Sequence, residues 1–194
     1  MTPATTLDTE ARARIDTALR SARHLLSLGA RETAAALYLS VADDSCRLPE
    51  PREDTPADEY AQIARGQRHD GHRDLALAIL EAACRLTHVH ASILYEFAES
   101  NAAAGHIDRA LEMYAATVRE APDFLEAHWE RGVLLERRGQ IDEALESWRR
   151  SDLSRHAGRH ALYLAAALKS PRSTNESLLL AQQEWAQQHV APRT

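Results

Sequence analysis

Three stretches decide the reading once they are set beneath one another: Gly71-His-Arg-Asp-Leu-Ala-Leu-Ala-Ile-Leu80, Gly105-His-Ile-Asp-Arg-Ala-Leu-Glu-Met-Tyr114 and Gly139-Gln-Ile-Asp-Glu-Ala-Leu-Glu-Ser-Trp148. The glycines stand 34 residues apart, and the same interval separates Asp74, Asp108 and Asp142, then Ala76, Ala110 and Ala144, then Leu77, Leu111 and Leu145. Four columns in step at one period define an internal repeat. Each column has a physical task. The glycine ends one helix in the left-handed conformation that side chains resist. The aspartate complements the dipole at the start of the next helix. The alanine lets two helices approach closely, and Leu80, Tyr114 and Trp148, four residues on, add bulk to the same face. Pro122 stops the second of these helices.

The frame extends in both directions. Upstream, Ala22, Gly29, Ala34 and Tyr38 keep the small–Gly–small–aromatic order, and Gly29 to Gly71 is one period plus eight residues. The excess matches a proline-rich acidic loop within 47–56, Leu48-Pro-Glu-Pro-Arg-Glu-Asp-Thr-Pro56. Downstream, 157–169 and 174–189 read as helices, with Ser173 in the glycine column and Leu178 in the alanine column. Terminal repeats diverge because one face meets solvent. The result is ten helices in five antiparallel pairs: 7–28 with 31–46, 57–69 with 72–87, 91–104 with 107–120, 124–138 with 141–153, and 157–169 with 174–189. By segment, 1–46 is a divergent N-terminal hairpin, 57–156 holds three regular units, and 157–194 is a capping hairpin and tail. No segment alternates in the manner of a strand. The fold class is all-α, an α-solenoid.

Composition agrees. Across 194 residues, 44% hydrophobic and 27% charged is a globular balance, and no apolar run approaches the ~18 residues of a membrane span. A net charge of −6 argues against nucleic acid as an obligate partner. Cys46 and Cys84 show neither a disulfide framework nor metal-ligand spacing, and the N-terminus lacks the pattern of a secretion signal. The expected location is the cytoplasm.

The chain resembles the tetratricopeptide repeat family, whose 34-residue unit is a pair of antiparallel helices. Residues 57–156 carry the match, with Gly132 and Pro122 also at family positions and Trp129 beside the family's usual tryptophan. Arg131 departs from the pattern, standing where an apolar residue is usual; its stem can cover apolar surface while its head reaches water. The resemblance implies a right-handed superhelix whose first helices line a concave groove that receives a protein segment.

Chemistry is sparse. No nucleophile elbow, phosphate loop or dinucleotide fingerprint is present, so no catalytic residue is assigned and the chain reads as a non-enzyme without cofactors. Among ten histidines, His156 and His160 have the spacing of two ligands on one helical face, yet Gly158 interrupts them, and no metal site is assigned. His72 and His106 read as exposed first-turn residues. Cys84 lies on an apolar stripe with Leu77 and Leu80 and reads as a core thiol.

The groove is where function is expected. One column of first helices holds Ala61, Tyr95, Trp129 and Tyr163, again at intervals of 34. Three aromatics on one face are either anchors for a partner or packing between repeats, and both uses can coexist in one ring. Arg65 and Arg68 flank this column at one end, followed by Glu99, Glu130 and Glu136. The carboxylate-gripping lysines and asparagines of chaperone-binding members are absent from these faces.

Three readings of function follow. The first is a protein-interaction adaptor or assembly factor whose groove takes a partner protein segment. The second rests on Glu176, Trp185, His189 and Pro192, which resemble the junction between repeats and catalytic half in SPINDLY-type O-linked N-acetylglucosamine transferases. That resemblance implies an accessory or recognition subunit, or a relic, of such a glycosylation system. The third is a self-associating scaffold, a homo-oligomer built through open solenoid ends.

Overall fold

The computed structural model describes residues 3–46, 57–85, 90–153 and 157–190, with side chains from residue 9 onward except that of 188. These residues form ten helices: α1 Pro3–Ser27, α2 Arg31–Ser45, α3 Ala57–His69, α4 Arg73–Cys84, α5 Ala91–Ala104, α6 Ile107–Glu120, α7 Leu125–Arg137, α8 Ile141–Arg149, α9 Ala157–Ala167 and α10 Asn175–His189. No strand occurs among the described residues. The helices fall where the periodicity puts them, except that α1 starts four residues earlier, at Pro3, a residue suited to a first helical turn, and α8 ends at Arg149, four residues before the expected 153. The loop at 47–56 and His156 lie outside the described residues.

Four turns repeat one geometry. Gly29, Gly71, Gly105 and Gly139 have φ of +79°, +91°, +85° and +75°, and no other described residue has positive φ. In each, the N–H after the glycine donates to the carbonyl five residues before it, as Ala30 to Leu25, His72 to Gln67, His106 to Asn101 and Gln140 to Leu135, all at 2.9 Å. This closure absorbs carbonyls that the helix end would otherwise orphan. The α9–α10 turn, where Ser173 holds the glycine column, is built differently. The Thr174 hydroxyl accepts from the Ser177 N–H at 3.1 Å, and the Ser177 hydroxyl accepts from the Thr174 N–H at 3.0 Å. This capping box needs no left-handed residue.

The chain divides into two compact units within α6, residues 1–113 and 114–194. In the first, α1 pairs with α2 and α3 with α4, while α3 also packs on α5 and α2 on α4. Its core sets small residues against large ones. Ala22, Ala35, Ala42, Ala64, Ala76 and Ala83 are fully buried and let Tyr38, Tyr60, Ile79, Leu80 and Ile93 interdigitate. Tyr60 meets Tyr38 edge-on at 5.1 Å and donates its hydroxyl to the Tyr38 carbonyl at 2.9 Å. The Tyr38 hydroxyl in turn donates to Glu59, which also holds Arg23 at 2.7 Å. Burial first, and then this carboxylate, push the Tyr38 pKa up.

In the second unit α7 packs on α8, α8 on α9 and α9 on α10. Its core is Ala127, Trp129, Leu134, Leu135, Ala144, Leu145, Trp148 and Tyr163. The alanine column and the bulky column therefore act as their spacing predicts: Ala76, Ala110 and Ala144 are fully buried, as are Leu80, Tyr114 and Trp148 to within 2%. Asp74, Asp108 and Asp142 sit in first helical turns. The last hairpin leaves Leu162, Leu168, Leu179 and Leu180 more than half exposed.

His128 gives this unit a pH dependence. It is 2% exposed, and its Nε2–H donates to the Pro122 carbonyl at 3.0 Å. Burial lowers its pKa from the ordinary 6.5, outweighing the opposing hydrogen bond. A depressed imidazole pKa means that the unfolded chain takes up a proton before the folded one does as acid is added. Stability is therefore fully present above 6.5 and declines as pH falls below it, towards the folded value. Denaturant unfolding followed from about pH 7 to 5 is expected to show this decline in the native protein and a flatter profile in His128→Gln.

Candidate partner-binding surface

Arg65 and Arg68 lie three apart on α3 and so share a helical face. No acidic residue on their own helix reaches them there; the partner comes from α5. Arg65 donates to Glu96 Oε1 from Nε at 2.7 Å and approaches the same oxygen with its terminal nitrogen at 2.6 Å. Arg68 donates to Glu96 Oε2 at 3.1 Å, and its other terminal nitrogen lies 3.5 Å from Glu99. The Glu96 side chain is 1% exposed while that of Arg65 is 60% exposed. One buried carboxylate thus fixes two guanidiniums, one of them at the surface. Its hydrogen bond raises the Arg65 pKa, with smaller contributions from the nearby Tyr95 and Glu99.

The sequence brings Arg65, Arg68, Tyr95 and Glu99 to one place, and the structure agrees that they are neighbours on α3 and α5. Both arginines are paired with Glu96, which was not among the expected site residues. No signal in the sequence marked it, because an exposed arginine needs no counterion and an acid beside the aromatic column reads as solvated.

The second unit holds Trp129, Tyr163, Glu130 and Glu136. Trp129 and Tyr163 are each 7% exposed, so most of both rings faces protein. Trp129 stacks on Trp148 with centroids 5.3 Å apart, and the Arg159 guanidinium lies 4.6 Å from the Trp129 centroid. The Tyr163 hydroxyl accepts from Arg149 Nε at 2.9 Å. Glu136 pairs with Lys169 at 3.2 Å, and Glu130 is half-buried. Arg131 is half-buried and lines a charged cleft of about 520 Å³ with Asp142, Arg149 and Arg172. Asp142 is already engaged there, by the Ser170 hydroxyl at 2.5 Å and Arg172 at 3.2 Å.

The remaining candidates sort by burial. His72 and His106 are exposed. Cys84 is half-buried, and burial raises its thiol pKa, as suits a core thiol. His160 is 2% exposed and faces His189 across the α9–α10 seam, with ring centroids 5.7 Å apart. Among the described residues no three His, Cys, Asp or Glu side chains gather as metal ligands do. Nor is any described helix long and apolar enough to cross a membrane. Glu176, Trp185 and His189 all lie on α10, while Pro192 falls outside the described residues.

Comparison with known proteins bears on the fold. No family model and no curated protein sequence matches the chain. Solved structures do. YrrB, a tetratricopeptide protein with an unusual peptide-binding site, superposes with a TM-score of 0.66 at 17% identity, over 97% of this chain and 93% of its own. A MamA protein gives 0.68 at 11% identity, covering 90% of this chain and 91% of its own. MamA of Desulfovibrio magneticus RS-1 gives 0.63 at 13% identity, with 93% and 97% covered. The chain has the tetratricopeptide-repeat fold.

Proposed function

We propose that this protein is a non-catalytic, cytoplasmic interaction module that receives a partner protein segment along the first helices of its repeats. The observation that carries the reading is the Glu96-centred cluster on α3 and α5. It presents an exposed guanidinium, Arg65, whose direction is fixed in advance by a buried carboxylate. Preorganised donors of this kind reduce the ordering cost of association. Tyr95 beside them supplies a rigid aromatic, and Glu99 supplies the opposite charge, so the segment that fits carries both signs of charge. The likeness to YrrB, itself described as peptide-binding, favours the same use of the fold. In the second unit Trp129 and Tyr163 are read mainly as packing, with their exposed edges and Glu130 and Glu136 as secondary contacts.

The test is affinity capture from the native source, followed by calorimetry of the captured partner against Arg65→Ala and Tyr95→Ala. Each is expected to weaken binding about tenfold or more, equivalent to about 1.4 kcal/mol. Because Arg65 is largely exposed, its removal is expected to change folding stability by no more than about 1 kcal/mol. A partner bound equally well by both variants would place recognition elsewhere.

A further inference from the structure

A smaller cleft opens on the opposite side of α3, towards the end of α1. It measures about 220 Å³ and is lined by Leu26 of α1, Arg31 of α2, and Gln62, Ile63, Gly66 and Gln67 of α3. We propose that it is an anchor pocket for one aliphatic side chain of a partner segment, whose backbone carbonyl accepts a hydrogen bond from the Gln67 side-chain amide. This deepens the reading that α3 faces a partner segment, and rests on it.

Size sets the class of occupant. At roughly 30 Å³ each, the space equals about seven waters, below the ~300–1,000 Å³ of sites for whole drug-sized ligands. One branched side chain and its attached peptide unit are of the right order. The walls are apolar where that side chain would sit, with Leu26, Ile63 and the methylenes of Arg31. Gly66 keeps the space open: a Cβ added there would meet nothing nearer than Arg31 Cδ at 4.0 Å.

Polarity sets the rest. Gln67 is 1% exposed, and its Oε1 is engaged by His72 Nδ1 at 2.9 Å. Its Nε2 is buried and has no hydrogen-bond partner. A buried amide donor without an acceptor is unfavourable, and an occupant bearing a carbonyl relieves it. The only cation on the rim is already compensated, since Arg31 donates to both oxygens of Asp70 at 3.0 and 2.9 Å. The pocket therefore selects a neutral group with an acceptor over an ion.

The probe is N-acetyl-leucinamide, titrated into the full chain while the methyls of Leu26 and Ile63 and the Gln67 side-chain amide are followed by NMR. Saturable shifts at all three are expected, with half-saturation in the millimolar range typical of so small a ligand. N-acetylglycinamide, lacking the side chain, is expected to bind at least about tenfold more weakly. Gly66→Val fills the cleft and should reduce probe affinity by a similar factor. Gln67→Leu removes the donor, together with the Oε1 that engages His72, and should weaken the probe about three- to tenfold. Glu96→Gln should leave it unchanged, which separates this pocket from the charged cluster. Absence of saturable shifts in the native protein overturns the proposal, as does equal affinity for the two probes or an undiminished response in Gln67→Leu. If Gly66→Val does not fold, the two probes and Gln67→Leu still decide. Loss of the captured partner on Arg65→Ala without any probe binding refutes the pocket and leaves the segment-binding reading standing.

Discussion

Replacing Gly132 with alanine is expected to destabilise the protein by about 3 kcal/mol, although alanine is the better helix former. The added Cβ would stand 2.4 Å from both Cδ1 and Nε1 of Trp148 and 2.9 Å from Cε2. The indole has nowhere to go. Trp148 is 2% exposed, its ring is stacked on Trp129, and its N–H donates to the Trp129 carbonyl at 3.0 Å. Overpacking costs about 1–3 kcal/mol and a lost buried hydrogen bond about 1–3 more, against roughly 1 kcal/mol gained in helix propensity. At about 2–4 °C per kcal/mol, the melting temperature should fall by roughly 6–12 °C. Gly66→Ala is the control, being a helical glycine whose added Cβ finds only a 4.0 Å contact. It should be stabilising by about 0.5–1 kcal/mol. Circular-dichroism melts that move in the same direction for both variants would show that the indole does not set the requirement at Gly132.

The second large effect concerns Glu96. Glu96→Ala leaves two guanidiniums facing each other beside an emptied site. Breaking a fully buried ion pair costs about 3–5 kcal/mol, and the exposure of Arg65 reduces this to about 2–3. Arg68 bears most of the loss, because its Nε is already buried without a partner. Placed on an Arg68→Met background, the same Glu96→Ala change should cost clearly less, since the cation left unpaired is gone. Chemical denaturation of the four proteins in this cycle measures the coupling. Strict additivity would mean that Glu96 stabilises by packing alone.

These two residues also show how far the sequence could be read. Gly132 was legible as a position of the repeat pattern, but its partner was not, because Trp148 lies 16 residues on, in the following helix. Arg65, Arg68, Tyr95 and Glu99 were legible as one surface because equivalent positions in successive repeats become neighbours in space. Glu96 was not. It adjoins the aromatic column, and an acid at such a place reads as solvated until the depth of the α3–α5 seam is known. Trp129 and Tyr163 were open between anchor and packing, and their burial in the second unit weights them towards packing.

By itself the sequence determined most of what is local or periodic in this protein. Helix positions follow from apolar spacing, four turns from glycines that alone tolerate positive φ at no cost, and the pairing of helices within each unit from the 34-residue period. These properties depend on neighbours a few residues away, or on the same position in the next repeat, and both can be counted along the chain. Tertiary structure decided which charges are spent on one another, which rings are buried, and where space is left over. The Glu96 bridge, the Trp148 contact at Gly132 and the unpartnered Gln67 amide beside a small cleft each depend on separations of a few ångströms across helix seams. Sequence spacing fixes which helices meet; rotamers and burial fix what their side chains do on meeting.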